Sequence, residues 1–572
     1  MTILRFWQDN SQVAATAVSF EVQDNITVLA AARAAGVLVE SPCNGAGTCG
    51  KCKVRIPAYP PEALLARPGC HHTLTPEEIS QGIFLGCTTE IQGQALTTEV
   101  INIFVLERQD KSNVQILSQG QQLAVTLAPN ITKQYLPDKR QTVVLAGKTV
   151  LGTEPGNTAA IAHGLVVDIG TTTLVTALFD LTTGQELSTV SALNSQSLHA
   201  QDVLSRIKLG NSPEGLATLY TEIIGAINSM ISVLTQTTGI QPQSIYEIVF
   251  SGNTCMLHLA MNTNPASLGK YPYTPVLWGN SYHSAAAIGL TASPCAQVYL
   301  PPVMSAYVGA DITAGILAAD LANLKGTTLF VDIGTNGEMA LAVNGRLSVT
   351  STAAGPAFEG MNIVCGMRAA PGAIEKFKVD YSGDVEVKTI SGTPAVGICG
   401  SGLLDIVGEL VRTKLIDKTG KFAGTETNHT HPLQRRLKKE NGKTVFTIQQ
   451  TVYLSQKDIR QVQLAKGAIR AGIECLLDAN GLSTSEVDRI FIAGSFGFHL
   501  NADSLINTGM LPEAFRGKID FLGNTAKTGG QALLLNQDSR QTIANLIKKQ
   551  VKVLELATYS DFDKTFVNCL NF

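Results

Sequence analysis

The sequence lacks long apolar runs and clusters of basic residues, and each absence argues against a class of function. No apolar run approaches the roughly 18 residues of a membrane-spanning helix. The first residues show no basic leader followed by an apolar stretch, so we expect no signal peptide. The formal net charge of the 572 residues is −3, whereas a nucleic-acid partner needs clustered Lys and Arg. The sequence therefore predicts a cytoplasmic protein with neither a membrane nor a nucleic-acid partner.

Two widespread nucleotide-binding motifs are missing as well. The sequence contains neither the lysine loop G-x-x-x-x-G-K-S/T nor a G-x-G-x-x-G turn after a strand. The first absence argues against a P-loop NTPase, and the second leaves a Rossmann dinucleotide site unsupported. Hydrophobic residues make up 44% and charged residues 16% of the chain. This balance is typical of a globular protein, and the length indicates several domains.

Cysteine is present in an odd number, 11, so a disulfide framework is disfavoured in a long cytosolic chain. Four of the five in the first 90 residues have ligand-like spacing, C-x5-C-x2-C at Cys43, Cys49 and Cys52, followed by Cys87. The small residues among them let a loop wrap an inorganic cluster and aim N–H groups at its sulfurs. Zinc is the alternative, but zinc ribbons usually pair two C-x2-C knuckles and this chain has one.

The segments around these cysteines predict a small mixed fold. Apolar patterns predict a hairpin over 3–7 and 18–22, a helix over 28–35, and strands over 53–56 and 83–85. This segment resembles the [2Fe–2S] ferredoxins of the β-grasp fold, with one extra residue in the first cysteine gap as in adrenodoxin-type proteins. The four cysteines are then the predicted cluster ligands. The nearby Cys70-His71-His72 is expected to lie in a solvated loop.

After the cysteine-rich segment, the apolar pattern that predicts strands and helices becomes weaker. Short strands are predicted near 100–106, 114–117 and 143–145, and a loop is predicted over 152–162. We interpret residues 96–162 as a linker with a small β-rich module.

The most informative motif occurs twice. V-D-I-G-T-T-T at residues 167–173 returns as V-D-I-G-T-N-G at residues 331–337, 164 positions later. An apolar strand that ends in Asp and turns through Gly and Thr offers hydroxyl and N–H groups to phosphate oxygens, and the Asp can order Mg²⁺. Two such loops facing each other can hold one nucleotide. We predict catalytic roles for Asp168, Asp332 and Glu338, and phosphate contacts from Gly170, Thr171, Thr172, Thr173, Gly334, Thr335, Asn336 and Gly337.

Each copy of this motif has a companion segment. Small-residue turns follow the strands at 248–254 and 490–497, where adenine and ribose can lie against the backbone. A glycine-rich turn opens an apolar helix at 403–410, and the N-terminus of that helix favours anions. From these segments we predict five further nucleotide contacts: Gly400, Ser401, Gly402, Gly494 and Ser495.

The duplicated region resembles the actin-like, sugar-kinase and heat-shock ATPase (ASKHA) superfamily. The whole chain resembles the reductive activators of corrinoid proteins, with matching runs at 194–207, 309–315, 353–360 and 523–530. The short connector favours the activating enzymes of corrinoid-dependent O-demethylases. The predicted fold class is α/β multidomain. It consists of a β-grasp [2Fe–2S] ferredoxin domain (1–95), a connector (96–162) and an ASKHA ATPase domain in two halves (163–325 and 326–572).

The resemblance implies an ATP-hydrolysing enzyme that delivers one electron to a corrinoid protein and converts inactive Co(II) to Co(I). It implies a [2Fe–2S] cluster, ATP and Mg²⁺ as cofactors, a corrinoid methyl carrier as protein substrate and an external low-potential electron donor. The oligomeric state stays open, and a homodimer is one assembly that the resemblance allows. The alternatives are a small-molecule kinase with a ferredoxin regulatory domain, a nucleotide-binding redox sensor and an electron donor to a dehydratase.

Other polar residues near these motifs have structural interpretations. Asp202 and Arg206 lie four residues apart on a predicted helix, which is typical of a surface ion pair. Histidines and cysteines beside the nucleotide loops are expected to be packed in the core: His258, His499, Cys255, Cys365 and Cys399.

Overall fold

The computed structural model describes residues 2–8, 17–22, 25–41, 43, 45–47, 49–58, 64–66, 74–91, 100–106, 116, 118, 120, 123–423, 433–440, 442–449, 451–494 and 500–572. The α-helices of these residues are α1 (Val28–Ala34), α2 (Pro76–Ser80), α3 (Val203–Leu209), α4 (Pro213–Thr238), α5 (Thr254–Ala260), α6 (Ala310–Ala318), α7 (Gly400–Arg412), α8 (Gln456–Asp478), α9 (Ala502–Asn507), α10 (Thr525–Leu535), α11 (Gln537–Gln550) and α12 (Phe562–Cys569).

The first domain is built on a five-stranded sheet with a small second sheet beside it. Its strands are β1 (Thr2–Gln8), β2 (Val18–Val22), β3 (Ile26–Thr27), β4 (Lys53–Arg55), β5 (Leu64–Ala66), β6 (Ile83–Leu85), β7 (Thr89–Ile91) and β8 (Val100–Val105). The orders are β2-β1-β8-β4-β6 and β3-β7-β5. Alternating apolar residues place Leu4 and Phe6 in the core, against the buried face of α1. The predicted hairpin, helix and strands of this segment are confirmed.

The predicted boundary at residue 95 is wrong, because β8 belongs to the first domain. β8 pairs in parallel with β1, from Ile3 opposite Val100 to Gln8 opposite Val105. It also pairs with β4 on its other side, so it is a central strand of the sheet. A boundary drawn from the weakening apolar pattern cannot find a strand whose partners are almost 100 residues away.

The connector contains a three-stranded antiparallel sheet in the order β11-β10-β9. These strands are β9 (Ile131–Leu136), β10 (Gln141–Ala146) and β11 (Thr149–Pro155). The predicted strand at 143–145 is confirmed within β10. The predicted loop over 152–162 is wrong for its first residues, because β11 continues through them. The strand predicted over 114–117 falls mostly outside the described residues.

The rest of the chain forms two halves, each with a six-stranded sheet. The strands of the first half are β12 (His163–Ile169), β13 (Thr173–Asp180), β14 (Glu186–Leu193), β15 (Ile245–Gly252), β16 (Ser281–Ser284) and β17 (Gln297–Leu300). Those of the second half are β18 (Thr327–Ile333), β19 (Gly337–Val343), β20 (Arg346–Thr352), β21 (Ala373–Val379), β22 (Val385–Thr389), β23 (Gly397–Ile398), β24 (Leu437–Glu440), β25 (Lys443–Gln449), β26 (Val452–Ser455), β27 (Arg489–Ala493), β28 (Ile519–Gly523) and β29 (Val551–Val553).

Five strands of each large sheet share one arrangement, which confirms the duplication indicated by the repeated motif; the sixth strand lies at opposite edges, β16 beside β17 in the first half and β29 beside β20 in the second. Their orders are β14-β13-β12-β15-β17-β16 and β28-β27-β18-β19-β20-β29. In each sheet the motif strand pairs antiparallel with the strand that follows it and parallel with a later strand. Each motif strand ends at an Ile, and the Gly-Thr loop follows directly. Both loops therefore emerge at the carboxyl end of a central strand, where ligands bind in α/β sheets.

The helices α6 and α10 cross between the two sheets. At the crossing, a Cβ on Gly529 would collide with the Ala314 carbonyl group, so the close approach requires glycine. Gly315 lies against the ring of Phe330 on β18, and Gly530 lies against Val166 on β12. This crossing joins the cores of the two halves and leaves the loop ends of both sheets facing each other.

Helix α4 is long and apolar enough to cross a membrane by length and composition alone. Its apolar residues recur at helical spacing, and Leu219, Ile223, Ile227 and Ile231 are buried in the core of the first half. Such a one-sided apolar stripe is typical of a core helix.

Candidate functional site

The two Gly-Thr loops face a common cleft between the halves. The cleft is lined from the first half by Asp168, Gly170, Thr171, Thr172 and Thr173, and from the second half by Asp332, Gly334, Thr335, Asn336 and Glu338. The N-terminus of α7 contributes Gly400 and Ser401, and the end of β27 contributes Gly494. The structure thus brings most of the residues predicted from the sequence to one cavity.

Three of the predicted nucleotide contacts are not among the residues that line the cleft. Gly337 and Gly402 lie behind the lining residues, and Ser495 cannot be placed. Gly337 starts β19 and packs against Ile469 and Thr352. Gly402 lies in the first turn of α7, where a Cβ would collide with the Ile374 carbonyl group. These glycines permit close packing and are not among the residues that line the cleft, so their assignment as nucleotide contacts stays a prediction. Ser495 lies outside the described residues.

Four carboxyl groups converge on the cleft. Burial, with repulsion from neighbouring carboxylates, raises the pKa of Asp168 to about 7 and that of Asp332 to about 8. Burial also raises the pKa of Asp311 to about 6 and that of Glu338 well above its ordinary value. Asn524 Nδ2 donates a hydrogen bond of 2.8 Å to Asp168, and the other neighbours are mainly acidic. A set of buried carboxylates that repel one another fits a hard divalent cation such as Mg²⁺.

The sequence motifs do not identify Asp311 as a residue of the cleft. It lies in the first turn of α6 and faces the cleft from the element that links the two halves. The sequence offered a signal, since the run 309–315 places a carboxylate at the start of an apolar helix. Only the fold shows that this helix start points at the two phosphate loops.

Glu359 is a second residue that the motifs did not identify. It ends the short 3-10 turn Pro356–Glu359 and accepts hydrogen bonds from the hydroxyl groups of Thr172 and Thr335. One carboxylate therefore joins the Gly-Thr loop of the first half to that of the second.

Arg206 holds the Gly-Thr loop of the first half in place. The prediction of a surface ion pair for Arg206 is wrong. The side chain is fully buried. Its guanidinium donates to the carbonyl oxygens of Thr171 (2.6 Å) and Ala200 (3.1 Å) and to Gln196 Oε1 (3.1 Å). Asp202 instead caps the N-terminus of α3 through Ser205 N (2.8 Å). The tertiary fold, and not the spacing along the helix, decides where the guanidinium goes.

Replacing Arg206 with methionine should destabilise the first half and weaken nucleotide binding. The change leaves three buried acceptors without their donor, and unsatisfied buried groups cost about 1–3 kcal/mol each. We expect a loss of about 3 kcal/mol in unfolding free energy, measured by urea denaturation. Lys208→Met is the matched control, because Lys208 lies exposed on the same helix and its loss should cost less than about 0.5 kcal/mol. Equal effects of the two variants would contradict this role.

The histidine and cysteines near the cleft pack as predicted. His258 is buried, its Nδ1 lies 2.7 Å from the Thr254 carbonyl oxygen, and its Nε2 accepts from Val276 N and Leu277 N. Burial lowers its pKa, so the ring is neutral. Cys255, Cys365 and Cys399 are buried, although Cys399 also reaches the cleft wall. His499 lies outside the described residues.

The four cysteines of the first domain come together as two pairs. The Sγ atoms of Cys43 and Cys49 are 3.3 Å apart, and so are those of Cys52 and Cys87. Cys87 also interacts with Cys43, which joins the pairs. Two thiolates on one tetrahedral metal with bonds of about 2.3 Å should be about 3.7 Å apart. Two adjacent pairs therefore fit a cluster with two metal atoms, each held by two cysteines. The residues Cys70, His71 and His72 lie outside the described part of the chain.

Comparison with known proteins agrees with this architecture. A family model described as a 2Fe-2S iron-sulfur cluster binding domain matches residues 11–92. A model described as the RACo middle region matches residues 163–324, and one described as the C-terminal domain of RACo, the ASKHA domain, matches residues 326–572. The corrinoid activation enzyme RamQ of Eubacterium limosum is 34% identical over 441 residues, which cover 75% of this chain and 74% of that protein.

The chain belongs to the family of reductive activators of corrinoid proteins. A reductase of the Co(II) methylated amine-specific corrinoid protein from Methanosarcina barkeri is another relative, 26% identical over 72% of this chain and 77% of its own. The solved structure of a reductive activator for corrinoid, iron-sulfur protein superposes on this activator with a TM-score of 0.70 and 28% identity, over 100% of this chain and 98% of the other.

Membership of the activator family confirms the predicted fold class, a [2Fe–2S] ferredoxin-type domain joined to an ASKHA domain. The predicted O-demethylase subtype stays a prediction, because the names of the relatives do not specify it.

Proposed function

We propose that this protein reductively activates a corrinoid protein, delivering one electron that converts inactive Co(II) to Co(I), and that ATP hydrolysis drives the delivery. The observation that carries the proposal is the combination, in one chain of this family, of a paired cysteine quartet and a two-loop cleft lined with carboxylates. Neither part alone would distinguish an activator from a ferredoxin or an ATPase.

The need for ATP follows from redox energetics. When bound, a [2Fe–2S] cluster supplies one electron at about −400 mV in plant-type ferredoxins. Each further 59 mV of uphill transfer costs about 1.4 kcal/mol for one electron. The family resemblance implies that the Co(II)/Co(I) couple lies at a lower potential than such a cluster, so the cluster alone would leave little Co(I), and we propose that ATP hydrolysis supplies the difference. Cys43, Cys49, Cys52 and Cys87 would be the cluster ligands. An external low-potential donor would reduce the cluster again after each transfer.

Within the cleft, each group of residues has a separate role. Asp168 and Asp332 would hold Mg²⁺, and the phosphate oxygens would accept hydrogen bonds from Thr171, Thr172, Thr335 and Asn336. The N-terminus of α7, with Gly400 and Ser401 in the lining, adds backbone donors that favour an anion. Hydrolysis of a phosphoanhydride needs positioning and charge neutralisation more than covalent help.

Two carboxyl groups can position the attacking water. Glu338 follows the second loop, and its Oε1 accepts a hydrogen bond from Asn336 Nδ2 (3.2 Å). Asp311 faces the cleft from α6, the helix that crosses α10. Burial raises the pKa of both groups and favours their protonated forms; bound Mg²⁺ would lower that pKa, so that either carboxylate can accept a hydrogen bond from the attacking water near neutral pH.

Closure of the two halves would couple ATP to the corrinoid partner. The halves meet at the crossing of α6 and α10, so a small rotation there changes the distance between the two loops. Closure can assist reduction only if the partner binds one state more tightly than the other. We expect this exchange between proteins to take place in the cytoplasm.

The raised carboxyl pKa values give a pH prediction. Asp168 and Asp332 keep their protons in the folded protein up to about pH 7 and 8, but lose them near pH 4 when unfolded. Their contribution to stability is thus full below pH 4 and is lost as pH rises through 7 and 8, by at most about 1.4 kcal/mol per pH unit for each group. Mg²⁺ binds the ionised forms, so its stabilising effect should grow with pH.

The measurement is the melting temperature from pH 6.5 to 8 with and without millimolar Mg²⁺. The Mg²⁺-dependent shift should increase with pH in the wild type and increase less in Asp332→Asn. A shift that is constant with pH in the wild type would contradict the assignment of these carboxylates.

The decisive test of function is a reduction assay. Purified chain, reconstituted anaerobically with iron and sulfide, is mixed with Ti(III) citrate, Mg²⁺, ATP and a corrinoid methyl carrier in the Co(II) state. We expect loss of Co(II) absorbance and a rise of Co(I) with ATP, and neither with ADP or AMPPNP. ATP-independent reduction, or phosphorylation of an added metabolite without Co(I), would overturn the proposal.

A further inference from the structure

One segment separates the nucleotide cleft from the crevice under the ferredoxin domain. Glu359, Met367 and Arg368 line both spaces. Across the crevice stand Leu38 and Lys51 of the ferredoxin domain. Residues 359–367, which we call the coupling segment, therefore connect the nucleotide cleft to the crevice under the ferredoxin domain.

At the cleft end of the coupling segment, Glu359 holds both phosphate loops. It accepts hydrogen bonds from the hydroxyl groups of Thr172 and Thr335. These hydroxyls are among the donors assigned above to phosphate oxygens, so a phosphate and this carboxylate compete for them. Both are anions in a cleft that is already acidic, so they also repel each other.

At the other end of the coupling segment, Lys51 anchors the cluster loop. Its Nζ donates to the carbonyl oxygens of Val364 (3.3 Å) and Gly366 (3.0 Å). Lys51 immediately precedes the cluster ligand Cys52. Asp458 holds the same turn from the ATPase side, accepting a hydrogen bond of 2.8 Å from Val364 N.

The coupling segment is tightly folded on itself. Gly360 has a φ of +75°, and a Cβ there would collide with the backbone of Met367. A Cβ on Gly366 would collide with the Gly360 carbonyl group. Because the two ends of the segment pack backbone to backbone, a displacement of Glu359 is passed to Gly366 and so to the acceptors of Lys51.

We propose that Glu359 couples nucleotide binding to the position of the ferredoxin domain. ATP phosphates displace its carboxylate from Thr172 and Thr335, the coupling segment shifts, and the Lys51 contact opens. The ferredoxin domain then separates from the crevice and moves towards the corrinoid partner. Glu359 is a positioning residue in this scheme, and the inference rests on the proposed function of the cleft as an ATP site. Two arrangements of the chain are in equilibrium, one with the Lys51 contact closed and one with it open. The difference in ATP affinity between them sets how far ATP shifts that equilibrium.

The first test is the affinity of the full reconstituted chain for AMPPNP with Mg²⁺, measured by isothermal titration calorimetry. We expect Glu359→Gln to lower the Kd about tenfold, because a neutral amide competes less for the two hydroxyls. Glu375→Gln is the matched control, since it removes the same charge from the same cleft wall, and it should change the Kd less than about threefold. A Kd that rises or does not change in Glu359→Gln overturns the inference.

The second test is hydrogen–deuterium exchange of residues 49–58 and 361–367. AMPPNP should speed exchange in both segments, and Glu359→Gln should do so without nucleotide. Lys51→Met should speed exchange at 49–58 in every state. Lys53→Met, which removes the ion pair with Glu78 inside the ferredoxin domain, should respond to AMPPNP like the wild type. AMPPNP binding with unchanged exchange overturns this inference alone, whereas failure of AMPPNP to bind overturns the proposed function as well.

Discussion

A chain carrying Cys49→Ser will lose the visible absorbance of a [2Fe–2S] cluster and will no longer reduce a Co(II) corrinoid protein. Cys49 Sγ lies 3.3 Å from Cys43 Sγ, and the two form one of the thiolate pairs. Serine offers a hard, weakly acidic oxygen where iron–sulfur clusters need soft thiolates. Iron content and the visible spectrum after anaerobic reconstitution measure the first effect. The ATP-dependent rise of Co(I) measures the second, and we expect essentially complete loss of both.

The same variant should still bind ATP, because Cys49 lies in the ferredoxin domain and does not line the nucleotide cleft. Cys295→Ser is the matched control. Cys295 is half-buried in the first half, beside Ser293, and its replacement should leave iron content and spectrum unchanged. A normal spectrum and normal reduction in Cys49→Ser would refute the ligand assignment.

Asp332→Ala should lower ATP turnover by about a thousandfold or more while the iron–sulfur spectrum stays intact. Its carboxylate is the proposed Mg²⁺ ligand between the phosphate loops, and phosphoryl transfer depends on that charge and its placement. Burial and repulsion from Asp311 and Asp168 raise the pKa of Asp332 to about 8, so at pH 8 and above, where this carboxyl group ionises, removing it relieves repulsion. We therefore expect the variant to be folded and at least as stable as the wild type without Mg²⁺. Phosphate release and thermal melting measure the two effects.

Asp520→Ala is the control for this experiment. Asp520 lies exposed on β28 in the same sheet, so its loss should leave turnover within about twofold of the wild type. Turnover retained by Asp332→Ala would remove this residue from the proposed mechanism. A melting temperature far below that of the wild type would instead show that Asp332 is needed for folding.

Local patterns in the sequence were sufficient to predict the elements around the motifs and most of the residues that line the cleft. The repeated strand-Asp-Gly-Thr pattern located both phosphate loops, because a buried apolar strand and a small-residue turn leave few other conformations. The cysteine spacing located the quartet for the same reason, since a loop around a cluster tolerates little variation. Gly337 and Gly402 show that a glycine of such a motif can also serve close packing in the core.

The residues that the sequence could not assign depend on contacts between distant segments. Arg206 looked like half of a helical surface pair, but its partners include the Thr171 carbonyl group, 35 residues earlier. Glu359 meets Thr172 across 187 residues, and Lys51 meets Gly366 across 315. No periodicity or spacing rule relates positions that far apart. These contacts exist only after the two halves and the ferredoxin domain have packed together.

The central position of β8 determines how the ferredoxin domain carries mechanical load. β8 leads out of this domain towards the ATPase, and it is hydrogen-bonded to β1 on one side and to β4 on the other. A pull directed along β8 would load its hydrogen bonds to β1 and β4 together in shear, and would not break them one at a time. The domain movement proposed above would then displace the ferredoxin domain without unfolding it.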